Sequence, residues 1–70
     1  MSPEEYVRRI GDLATAGLER EAIDFSARHE ADVEGPFTAR HDADLFSCLE
    51  SAAMLIDLQE AAEQRKAASG

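Results

Sequence analysis

The apolar positions of this chain fall into three helical patterns of unequal length. The longest runs from Asp42 to Gln64, without Gly or Pro and built almost wholly from good helix formers. Leu45, Leu49, Ala52 and Ile56 recur at i, i+4, i+7 and i+11, which marks one face of an α-helix. Phe46, Cys48, Ala53 and Leu55 flank that face and widen it to roughly half the circumference, against about 100° on an ordinary surface helix. Such breadth predicts a central helix contacted by two others.

Those two precede it in the chain. Ser2, Pro3 and Glu5 spell a capping box with proline at the first helical position. A first helix is therefore expected over residues 3–15, with Tyr6, Val7, Ile10, Leu13 and Ala14 facing inward. Gly11 interrupts this pattern at about 1 kcal/mol relative to Ala; close approach of a neighbouring helix would account for it. Gly17 suits the left-handed position just past a helix C-terminus. A second helix is expected over residues 19–32, with Glu19 and Glu21 in the first turn, where the helix dipole favours acids. Leu18, Ala22, Phe25 and Ser26 form its inner face, with Ile23 and Ala27 to one side. Glu34-Gly35-Pro36 ends it, because proline disfavours helical geometry in the residue before it. The short turn at Gly17 folds the first two helices into an antiparallel hairpin. Thr38 is the expected N-cap of a third helix over residues 39–66, with Phe37 tucked under the hairpin. Asp42 and Asp44 near its start and Arg65 and Lys66 near its end suit the helix dipole. Ala67 to Gly70 should fray.

The expected fold is all-α: one small domain over residues 1–70, a short antiparallel hairpin packed on a long C-terminal helix. The third helix, about 28 residues, measures ~42 Å, while the first two, about 13 residues each, reach ~20 Å. Half of the long helix is thus left without a neighbour in the chain. Along that half the apolar residues change face. Met54, Leu58 and Ala61 form a line nearly opposite Leu45 and Leu49, and Leu55, Leu58 and Ala62 form a second line beside it. Contiguous large side chains on so small a domain mark Met54, Leu55, Leu58, Ala61 and Ala62 as a protein–protein interface. Its simplest form is a homodimer, a two-fold antiparallel pairing with a second copy.

Size sharpens that expectation. A chain of 70 residues buries only about 60% of its unfolded surface and leans on oligomerisation or very regular packing for stability. Charge narrows the partners. Fifteen acids against seven Lys and Arg give a net charge of −8, which argues against direct binding to nucleic acid. The acids are spread along the chain rather than blocked, as a solvated helical surface requires. The alternative is an acidic regulator, antitoxin-like or nucleic-acid-mimicking, that binds a basic protein. Cys48 is the sole cysteine, so no disulfide forms within the chain. Inside an apolar face it reads as a small buried hydrophobe, and it fits a reducing, cytoplasmic compartment. Ser2-Pro3-Glu4-Glu5 is unlike the basic and apolar start of a secretory signal. No stretch approaches the ~20 apolar residues of a membrane span, so a soluble protein without a membrane partner is expected.

Candidate chemistry is sparse. His29 and His41 are the only histidines. Carboxylate-bridged di-metal bundles use Glu-x-x-His pairs, but the residues three before these histidines are Ser26 and Thr38. His41 lies two turns, ~10 Å, before Cys48 on one helix, too far for the pair to act as base and nucleophile. No phosphate-binding or dinucleotide-binding motif is present. The sequence therefore points to no catalytic residue, metal ligand or cofactor, and to an interaction protein rather than an enzyme.

The first two helices also resemble a tetratricopeptide repeat. Val7, Ile10-Gly11, Gly17 and Ala22-Ile23 look like the large, apolar–small and small positions of that hairpin. Ser26 stands at the later aromatic position, and the proline comes late, at Pro36. The resemblance implies a helical interaction module such as an adaptor or accessory subunit. Repeats of this kind need neighbours, so the long third helix would act as cap or as the missing neighbour.

Overall fold

The computed structural model describes residues 1–69. Helix α1 spans Pro3–Thr15, α2 spans Glu19–His29 and α3 spans Ala39–Ser69. The three pack against one another in every pairing.

Each boundary has a local cause. The Glu5 amide donates to Ser2 Oγ at 3.2 Å, and Pro3 occupies the first turn. At the other end of α1, Gly17 adopts φ +82°. The Leu18 amide then reaches back to the Leu13 carbonyl at 2.9 Å, and the Gly17 amide to Ala14 at 3.2 Å. This is the paired closure of a Schellman motif, which satisfies carbonyls that would otherwise be orphaned. Leu18 is committed by its backbone to that turn, and its side chain is 44% exposed rather than part of the inner face.

Helix α2 ends earlier than the sequence suggests. His29 leaves helical geometry, at φ −107° and ψ 6°, and Glu30–Asp32 continue as one 3-10 turn. The N-terminal amine of Met1 donates to the Asp32 carbonyl at 2.9 Å, and the Glu34 amide donates to the Met1 carbonyl at 2.8 Å. The chain start thus pins the linker that leads to α3. Thr38 caps α3 reciprocally with His41: the His41 amide donates to Thr38 Oγ1, and the Thr38 amide donates to His41 Nδ1, each at 3.2 Å. Histidine here does the work of the glutamate in a capping box. Where fraying is expected, α3 remains helical through Ala67, Ala68 and Ser69; Gly70 lies outside the described residues.

The core is centred on α1. Tyr6, Val7, Ile10 and Ala22 are buried together, with Leu13, Phe25, Phe37, Leu45, Cys48 and Leu49 packed around them. Ala52 of α3 is also fully buried. Tyr6 lies between Phe25 and Phe37, with ring centroids at 6.2 and 6.0 Å, and its hydroxyl donates to the Ser26 carbonyl. Burial, and after it the Glu30 carboxylate, push that hydroxyl above its usual pKa.

Helix α1 runs parallel to α3: Glu4 lies by Arg40, His41 and Asp44, and Thr15 shares a groove with Leu55. Helix α2 runs back along α3, with Ile23 beside Ile56 and Arg20 paired to Glu60 at 3.3 Å. Two sequence expectations are corrected by this arrangement. The Arg20–Glu60 pair carries the hairpin past the midpoint of α3, so less than half of the helix lies beyond it. The inner face is also narrower than predicted. Phe46 is 68% exposed and Ala53 is exposed as well, because α1 and α2 cover only the arc that holds Leu45, Cys48, Leu49, Ala52 and Ile56.

Gly11 is a further correction. A Cβ built there would lie 3.6 Å from Cys48 Sγ, ordinary van der Waals contact. Close helix approach therefore does not require glycine. Gly11→Ala is expected to stabilise the fold by about 1 kcal/mol through helix propensity, read as a rise of about 4–8 °C in the melting midpoint. A fall would show that the Cys48 thiol cannot give way.

Candidate interaction surface

The residues that could carry chemistry are held in structural roles. His29 stacks on Phe25, with centroids 4.4 Å apart, and pairs with Asp32 at 2.9 Å. His41 is engaged in the α3 cap and sits edge-on to Phe37 at 6.3 Å. Cys48 is half-buried in the groove between α1 and α3, beside Gly11, Ala14, Ser51 and Leu55; neither histidine lines that groove. Among the described residues no group of three or more His, Cys, Asp or Glu is placed to hold a metal ion. No helix among them is long and apolar enough to cross a membrane.

What stands out instead is the side of α3 turned away from the hairpin. Met54 and Leu58 are each 58% exposed and Leu55 is 43% exposed. Ala62 is exposed and Ala61 half-buried. All five residues singled out by the sequence pattern thus lie outside the main core, on adjoining turns of one helix. Ser47 and Ser51 continue the same side toward the start of α3. At ~100° per residue, no charged residue falls on this stripe between Asp44 and Arg65. Glu50 and Asp57 border it on one flank; Leu55 and the α1 groove border it on the other. That groove, about 300 Å³ and lined by small residues, was not legible in the sequence. It forms where Gly11, Ala14 and Thr15 of α1 face Ser47, Ser51 and Ala52 of α3.

The molecule is elongated. Its extents are 51 × 19 × 17 Å and its radius of gyration is 14.3 Å, against about 11 Å for a compact chain of this length. It exposes 5059 Å², whereas a compact monomer of 7.6 kDa would expose roughly 4,300 Å². The excess is of the order of the ~800 Å² that one partner contributes to a standard protein–protein interface. No family model matches the chain, and neither does any curated protein or any solved structure.

Proposed function

We propose that this chain is a small acidic helical interaction module, an adaptor or accessory subunit, that self-associates through the outer side of α3. One observation carries the reading: Met54, Leu55 and Leu58 are large, apolar, contiguous and exposed on a helix whose other side already fills its own core. Scattered single hydrophobes on a surface need no explanation. An uncharged stripe with three large side chains, on a chain with 31% charged residues, is the exception that marks an interface. The tetratricopeptide-like hairpin fits the same role, with α3 serving as the neighbour that a lone repeat lacks.

Sedimentation of the wild-type chain at tens of micromolar should show a dimer. Leu58→Glu should sediment as a monomer with unchanged helical circular dichroism, because the side chain is more than half exposed and its replacement leaves the core intact. A wild type that is strictly monomeric at this concentration would remove self-association. A Leu58→Glu protein that unfolds would instead place Leu58 in the core.

The net charge of −8 supports a second reading, an acidic regulator of a basic protein. Salt separates the two. Two copies of like charge associate more tightly as salt screens their repulsion, whereas binding to a basic partner weakens with salt.

A further inference from the structure

Resting on the self-association proposed above, we infer that α3 pairs with α3 of a second copy in antiparallel orientation, in the register that sets Met54 of one chain against Leu58 of the other. The outer positions recur as Asp44, Ser47, Ser51, Met54, Leu58, Ala61 and Arg65, in alternating steps of three and four. That alternation is the spacing of a two-stranded coiled-coil seam, with Met54, Leu58 and Ala61 at its apolar positions. A two-fold axis between Met54 and Leu58 sets Ser51 against Ala61 and Ser47 against Arg65 of the second copy. The large side chains meet at the centre, and small ones meet on either side of it.

Charge selects the orientation. Asp44 and Arg65 close the two ends of the seam, and no ion pair recorded among the described residues uses either of them. In the antiparallel register Asp44 lies one layer from Arg65 of the second copy, and the two-fold makes this pair twice. A parallel, in-register pair stacks Asp44 on Asp44 and Arg65 on Arg65, and like charges opposed in this way disfavour it. Antiparallel helices also oppose their dipoles. On the α1 side, Gly11, Ala14 and Thr15 keep the neighbouring shoulder low, which leaves room for a second helix along the stripe. On the other side Asp57 meets its own copy near the axis, a solvent-screened repulsion that exposed pairs keep small.

The test uses two full-length variants, Cys48→Ser/Ser51→Cys and Cys48→Ser/Ala61→Cys, mixed in equal amounts and oxidised. In the antiparallel register Ser51 and Ala61 share a layer, while each lies ~15 Å along the axis from its own copy, beyond the ~7 Å between Cα atoms that a disulfide spans. The mixed disulfide should therefore dominate, resolved by mass. Disulfides of each variant with itself, and no mixed species, would overturn the register and establish a parallel pair while self-association stood. No disulfide between the variants, with a wild type that sediments as a dimer, would show that another face associates. No disulfide between the variants, with a monomeric wild type, would remove both this inference and the proposed function beneath it. A second arm reads the ends of the seam. Asp44→Arg should weaken the dimer about tenfold, since it breaks two ion pairs at once, and Asp44→Arg/Arg65→Asp should restore it; failure of the double variant to recover would overturn the register.

Discussion

Ile10→Ala should lower the unfolding free energy by about 3 kcal/mol, within the ~2–5 kcal/mol range for truncating a buried Leu, Ile or Met to Ala. Ile10 is 0% exposed and sits among Tyr6, Val7 and Ala22. The cluster draws on α1, on α2 through Ala22 and on α3 through Leu45 and Leu49, so the cavity does not collapse by a simple side-chain shift. For a domain of this size the whole stability is roughly 4–10 kcal/mol, and a loss of this magnitude moves the melting midpoint down by about 12–24 °C. The control is Phe46→Ala, which removes a larger apolar side chain that is 68% exposed. It should stay within about 0.5 kcal/mol of wild type, as surface substitutions do. Thermal melts followed by circular dichroism decide the matter, run at fixed protein concentration because dimerisation would add to apparent stability. Equal losses for the two variants would mean that Phe46 is covered and that the inner face of α3 is as broad as its sequence suggests.

That contrast between Ile10 and Phe46 shows what the sequence reveals and where it stops. Helix boundaries depend on chemistry within a few residues, so Ser2 with Pro3 and Glu5, Gly17, and Thr38 announce themselves. The inner positions of α1 are equally plain, because α1 is apolar on one side only. Helix α3 is apolar on two sides. Periodicity says that both Leu45 and Phe46 are hydrophobic, but not which arc the hairpin will cover. Only the packing shows that Leu45 is held by it and Phe46 is not. Beyond His29, the Met1 amine donates to the Asp32 carbonyl and the Met1 carbonyl accepts from the Glu34 amide, contacts distant in sequence that no local pattern encodes. The reach of Arg20 to Glu60 spans 40 residues of sequence, and no local pattern encodes it. Met54, Leu55, Leu58, Ala61 and Ala62 were legible as a pattern because they lie on one side of α3, outside the main core.

Ala22→Leu should cost about 2 kcal/mol, from the opposite physical cause. Ala22, on the inner face that the sequence predicts for α2, is 0% exposed and belongs to the cluster formed with Tyr6, Val7 and Ile10. A methyl group there sets how closely α2 approaches α1. Three added heavy atoms have no void to enter, and overpacking of this kind costs about 1–3 kcal/mol. Leucine and alanine are both strong helix formers, so the loss reports packing and not propensity. Ala53→Leu makes the same change at an exposed site on α3 and should be close to neutral. The comparison also tests whether the two sides of α3 act separately. The outer stripe takes no residue from α2, so at temperatures where Ala22→Leu remains folded the proposed dimer should dissociate at the same concentration as that of wild type. A dissociation constant that rises along with the lost stability would mean that the outer side of α3 depends on the hairpin behind it, and that self-association is a property of the whole bundle rather than of one helix.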